Sequence, residues 1–129
     1  MDSLERGLRA CGRLVRQGAG EAEWEFVLPG EFVGFAGHFP GNPVLPAIAQ
    51  LAMVRLAAGD ALPGGPRPLR LAAVKRAKFT APVGPGQAVR VACSLTEDRG
   101  CWTARASVQV GIEVAASLVL ALEEAGKEP

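Results

Sequence analysis

PAIAQLAMVRLAAG, residues 46–59, decides how this chain folds. Pro46 suits the first helical position, where its missing N–H would have no partner anyway. Gly59 suits the position just past the end, so the stretch predicts a helix over about 46–58. Only Gln50 and Arg55 interrupt an otherwise apolar circumference. A helix with one apolar stripe lies on a surface, whereas one that is apolar all round has to be wrapped by other structure.

The wrapping has to come from strands on either side. Upstream, EAEWEFVL (21–28) alternates, with Trp24, Phe26 and Leu28 on one face and Glu23 and Glu25 on the other, a half-buried strand. RLVR followed by the turn signal QGAG predicts a hairpin of about 11–17 with 21–28, and PGE at 29–31 ends it. Asp2 to Leu8 carries only a weak helical signal. Downstream, ALPGGPRP (61–68) reads as a loop. LAAVKRAKF then leads to a turn at VGPG (83–86), QAVRVACSLTE to a turn near Arg99–Gly100, and CWTARASVQV to Gly111, before IEVAASLVLAL. Hairpin-linked strands of this length predict an antiparallel meander. The reading is α+β: about five or six antiparallel strands curved around one central helix. It is a single domain over 1–129, with an N-terminal segment at about 1–10 and a frayed tail at 123–129.

Composition narrows the chemistry. Of 129 residues 49% are hydrophobic, enough for one sizeable core, while aromatics are 5% and tyrosine is absent. The core is therefore aliphatic, and one common proton donor is missing. A formal charge of +1 gives no global reason to expect nucleic acid or an anionic membrane. The distribution is less even: Ala61 to Thr96 holds no acid but contains Arg67, Arg70, Lys75, Arg76, Lys78 and Arg90, either a solvated face or a patch for an acidic partner. Cys11, Cys93 and Cys101 are widely spaced and form no CxxC or Cys/His cluster, so no metal is expected. Cys93 and Cys101 could face each other across a hairpin, but free thiols in a reducing cytoplasm are the reading preferred. MDSLERGLRACGRL lacks the apolar stretch of a signal peptide, and Pro43 to Val54 is too short to span a bilayer.

The segment entering the helix is the unusual one. GHFPGNPVLP (37–46) holds the only histidine, His38, among Gly37, Gly41, Pro40, Pro43 and Pro46. Prolines that fix φ and glycines that permit other geometries make a stiff loop aimed at a helix N-terminus, where free N–H groups favour an oxyanion or a polarised carbonyl. A lone histidine in an apolar chain is more often structural, yet this setting suits preorganisation. GHFPGNPVLP resembles the signature of the β-hydroxyacyl-acyl carrier protein dehydratases, which have the hot-dog fold. AAVKRAKFTAPVGPGQAVRV resembles that family's strand, PV.PG turn and next strand, and DRGCWTARASVQVGIEVAASLVLAL resembles its last hairpin. The resemblance runs from about Trp24 to Leu122, and the Gln50–Leu51 pair looks nearest the aryl-polyene-type branch.

The resemblance implies removal of water from a 3-hydroxyacyl thioester carried on phosphopantetheine, with no other cofactor. It makes His38 the base that takes a C2 proton, a role that suits an imidazole near neutral pH. It makes the backbone N–H of Ala47 the donor to the thioester oxygen, with Gly41, Pro46, Gln50 and Phe79 shaping the substrate site. It also implies a dimer and an acidic acyl carrier protein as partner, so that Arg67, Arg70, Lys75, Arg76 and Lys78 become docking candidates. One departure removes chemistry. The family's helix carboxylate, fourteen residues after the histidine, falls on Ala52 here, and no acid lies between Glu31 and Asp60. Both of those are expected at the surface, Asp60 past the helix end. The sites of the family are shared between subunits, so a heterodimer partner with the acid would complete one with His38. Three readings stay open: a dehydratase, an impaired subunit that binds acyl chain or carrier protein, and a hot-dog thioesterase, which the missing carboxylate disfavours.

Overall fold

The computed structural model describes residues 3–32, 35 and 44–125. In chain order the elements are α1 (Ser3–Cys11), β1 (Gly12–Gly18), β2 (Glu21–Val27), α2 (Ala47–Ala61), β3 (Leu69–Phe79), β4 (Ala88–Asp98), β5 (Cys101–Val110) and β6 (Glu113–Glu124). The six strands form one antiparallel sheet in the order β1-β2-β4-β5-β6-β3.

The period-2 patterns become visible as two faces. Trp24, Val91, Val108 and Ala116 align across β2, β4, β5 and β6, as do Ala22, Cys93, Ala106 and Leu118. These rows face α2 and are mostly buried, whereas Glu21, Glu23 and Glu25 alternate onto the other face. Ten of the fifteen residues of α2 are buried, which answers its all-round apolar sequence.

The expected meander is present in β4-β5-β6, joined by two-residue turns. Arg99 and Gly100 both take positive φ, 54° and 82°, the geometry that matches strand twist in a tight hairpin. β3, in contrast, does not fold back on β4 at VGPG. β4 already has β2 and β5 as neighbours, so β3 crosses to the far side and pairs with β6. It is thereby an edge strand, with bulges between Leu71 and Ala73 and between Val74 and Arg76.

The ends of α2 differ from expectation. Pro46 is extended (φ −71°, ψ 160°) and caps the helix instead of opening it, so Ala47 is the first helical residue. Leu45 N–H donates to the Val83 carbonyl at 2.7 Å, which holds this entry segment extended. At the other end the helix continues through Gly59 to Ala61 and stops at Leu62, which precedes Pro63 and is forced out of the helical region. Gly59 is required for another reason: a Cβ there would lie 2.8 Å from the Arg67 carbonyl oxygen. Asp60 is therefore inside the helix and half-buried. Its Oδ2 accepts from the Trp24 indole N–H at 2.7 Å, and its carbonyl accepts from Gln17 Nε2 at 2.6 Å.

Two terminal expectations also change. The weak signal at residues 2–8 is a real helix that buries Leu8 completely. β6 runs on through Glu123 and Glu124, which pair with Arg70 and Arg67, so the sheet extends past Leu122.

All three cysteines are free, and Cys93 lies opposite Ala106 while Cys101 lies opposite Asp98. Burial pushes the Cys93 thiol up to about 12. Iodoacetamide at pH 8 is expected to modify the half-buried Cys11 and Cys101 well before Cys93, as followed by peptide mass spectrometry. Equal labelling of all three would show that β4 is not held closed.

Candidate active site

Three of the sequence-predicted residues, Ala47, Gln50 and Phe79, come together at the N-terminal turn of α2. Ala47 and Gln50, three apart and so on one helix face, line a cavity of about 400 Å³ with Val44, Leu45, Phe79, Thr80, Ala81 and Pro82. Local structure explains the convergence. The Leu45–Val83 bond ties the entry of α2 to the segment after β3, and Thr80 and Ala81 N–H both donate to the Ala115 carbonyl, anchoring the opposite wall. Phe79 ends β3 at 43% exposed and forms part of that wall.

The polar equipment of this cavity is sparse and defined. Ala49 and Gln50 N–H both bond to the Pro46 carbonyl, at 3.1 and 3.3 Å. Ala47, the first helical residue, presents an N–H that has no partner within the helix, and Pro46 has no side chain able to cap it. The helix dipole adds to its donor strength. Gln50 is buried, 4% exposed; its Nε2 donates to the Leu45 carbonyl over a long 3.4 Å. Its Oε1 has no hydrogen-bond partner among the described residues.

Ala52 faces elsewhere. It is buried and lines a second cavity of about 210 Å³ with Leu4, Ile48, Leu51, Arg55, Leu71 and Leu120. Among the described residues no carboxylate lines it. Its one charge is Arg55, one turn beyond Ala52, whose guanidinium lies 3.8 Å from Glu5 of α1. Leu4 and this ion pair bring α1 to the site, which the sequence reading did not foresee. The signal was present in Leu4, Leu8 and Cys11, spaced to share one helix face.

His38 and Gly41 lie outside the described residues. The five docking candidates do not make one surface. Arg67 is held by Glu124 at 2.7 Å and donates to the Pro63 and Gly65 carbonyls, while Arg70 pairs with Glu123 at 2.6 Å. Lys75 donates to Thr103 Oγ1 at 3.3 Å. Arg76 and Lys78 pair in register with Val119 and Ser117, on the sheet face away from α2. Arg90 belongs to β2's acids; it and Arg13 hold the Glu25 carboxyl below the usual carboxylate range. Among the described residues no three His, Cys, Asp or Glu side chains converge as a metal site would need. Among them, too, no helix is long and apolar enough to cross a membrane.

A family profile described as ApeI-like, ApeI dehydratase, matches residues 15–117. A 3-hydroxyacyl-[acyl-carrier-protein] dehydratase FabZ of Alkalilimnicola ehrlichii is 37% identical over 91 residues, covering 64% of this chain and 58% of that protein. The protein of the same name from Verminephrobacter eiseniae is 34% identical over 103 residues, covering 72% of this chain and 69% of its own length. The chain thus spans under two thirds of the first of these relatives. Among solved structures, a chain of the dehydratase heterocomplex ApeI:P from Xenorhabdus doucetiae superposes with a TM-score of 0.68 at 25% identity, covering 87% of this chain and 95% of that one.

Proposed function

The chain belongs to the ApeI-like dehydratase family, with its hot-dog fold, and we propose from this that it acts on 3-hydroxyacyl thioesters, removing water to give the trans-2-enoyl thioester. The observation that carries the proposal is the cavity at the start of α2, where Ala47, Gln50 and Phe79 meet directly after the GHFPGNPVLP segment. In the proposed reaction His38 accepts a C2 proton, the C2–H electrons form the C2=C3 bond, and the C3–O bond breaks. The hydroxyl takes up a proton and departs as water. The Ala47 N–H stabilises the negative charge that builds on the thioester oxygen, and such a donor is worth about 10²–10³ in rate.

Among the described residues no acid lines either the cavity at the start of α2 or the one beside Ala52, so none stands ready to protonate the leaving hydroxyl. We infer a shared site in which a second hot-dog subunit brings the carboxylate. The name of the Xenorhabdus heterocomplex supports a partnership of this kind. The substrate is carried by an acyl carrier protein, and Lys75, Arg76 and Lys78, which make no ion pair among the described residues, are the candidates for docking it. The protein works in the cytoplasm, where thiols such as Cys93 remain reduced.

The test is turnover of a 3-hydroxyacyl-carrier-protein thioester and hydration of its enoyl product. Each is measured with the protein alone and with hot-dog subunits encoded beside it. Activity is expected with a partner, and His38→Ala is expected to reduce it about 10²–10⁴-fold. No turnover in any combination would end the enzymatic reading and leave that of a binding subunit.

A further inference from the structure

We propose that a second copy of this chain packs on the face of the sheet turned away from α2, with Glu21 of each copy set against Arg105 of the other. The inference does not depend on the thioester reading.

Cross-strand register puts Glu21 on β2 opposite Ser94 on β4, and Ser94 opposite Arg105 on β5. Neighbouring strands lie about 4.8 Å apart, so an anion and a cation stand at equal distances on either side of Ser94. Both are exposed, and neither makes an ion pair among the described residues. The other two acids of β2 differ: Glu23 has Arg16 and Arg90, and Glu25 has Arg13 and Arg90. Between the two unpaired charges the floor is small, made of Ala92, Ser94 and Ser107, and all five residues line an open cavity of about 340 Å³.

A two-fold axis along β4 through Ser94 makes this face complementary to itself. It carries β2 of one copy over β5 of the other, so that Glu21 meets Arg105 twice. The cavity receives the incoming Arg105 side chain, and the small floor lets the two sheets approach to the roughly 10 Å of face-to-face packing. An axis across the strands would lay β2 over β2 and set like charges together, so the charge pattern selects one orientation. In that orientation β1 lies over β6, and β3, with Arg76 and Lys78, stays uncovered. Exposed ion pairs add little affinity each; here they fix orientation while the packed floor holds the copies together.

The experiment measures self-association of the full chain by sedimentation velocity at low salt. Arg105→Glu and Glu21→Arg are each expected to weaken association about 10–100-fold and to halve the mass at matched concentration, because each sets two pairs of like charges face to face. The double variant Glu21→Arg/Arg105→Glu keeps the pattern with its signs exchanged, so its mass is expected to return to that of wild type. Added salt is expected to weaken the wild-type association. Ser94→Arg, which places two cations on the axis itself, is expected to halve the mass with an unchanged circular dichroism spectrum, which separates a lost interface from a lost fold. Masses that neither single reversal alters overturn the proposal. So does a double variant that stays dissociated, since the two residues then do not meet. An unaltered mass together with weaker binding of a purified acyl carrier protein by Arg105→Glu would give this face to the acidic partner and overturn the second copy.

Discussion

Ala52→Glu is expected to raise turnover of 3-hydroxyacyl thioesters about 10²–10⁴-fold in a homodimer whose shared sites set α2 of one subunit beside His38 of the other, the usual worth of a positioned acid. The position is prepared for it sterically: Ala52 lines a cavity of about 210 Å³ instead of being packed on all sides. Its electrostatics are less accommodating. Arg55, one turn further along α2, lines the same cavity, and a guanidinium at that spacing favours the ionised carboxylate. Burial of the position, 5% exposed, works the other way and disfavours the charge. Only the protonated form of the new acid can act, so the gain in rate is expected to fall as pH rises through its pKa, wherever these opposing effects set it. Adding Arg55→Met is expected to move the falling limb to higher pH. A pH–rate profile of the single and double variants reads this directly. A folded Ala52→Glu protein with unchanged turnover at every pH would show that the absent carboxylate is not what limits the isolated chain.

Phe26→Ala is expected to cost about 3–5 kcal/mol, the largest stability loss of any single substitution considered, measured by urea unfolding. Phe26 is fully buried and stacks on Trp24 with centroids 5.5 Å apart and planes 19° apart. Its ring also lies against Gly12, where an added Cβ would come within 2.5 Å of Cδ1 and Cε1. Gly12→Ala alone is expected to cost about 1–3 kcal/mol by overpacking. Combined with Phe26→Leu, which vacates ring volume, its cost is expected to fall, since the two substitutions act on one contact. Full additivity would mean that the pair is not in contact in solution.

How much of this was legible in the sequence depends on the range of the interaction. Strand periodicity, the hairpin turns and the wrapped helix were legible, because alternation and turn chemistry are local. The partner of β3 was not. LAAVKRAKF looks the same whether it pairs with the next strand or with one arriving after two further hairpins, and only the occupancy of β4 by β2 decides. Asp60 was misplaced for the same reason. Gly59 read as a terminator, but its missing side chain makes room for the Arg67 carbonyl, and the helix carries Asp60 on to Trp24. At the site, the resemblance named Ala47, Gln50 and Phe79, which share a cavity, and Ala52, which belongs to another. The ion pair of Arg55 with Glu5 was invisible, since it needs α1 laid across α2.

The bulges in the outer strands bear on how this protein survives crowding. A sheet ends in two rows of unpaired amides and carbonyls, and a long regular edge invites an unfolded neighbour to add a strand. Here β1 breaks register between Leu14 and Arg16, and β3 breaks it twice. The longest uninterrupted run on β3 is Arg76–Phe79, only four residues, and it carries two cations. A straight foreign strand loses its match after one turn of the pleat or two, before cooperative growth can begin. The molecule can thus keep an apolar-faced edge in solution without that edge seeding fibrils.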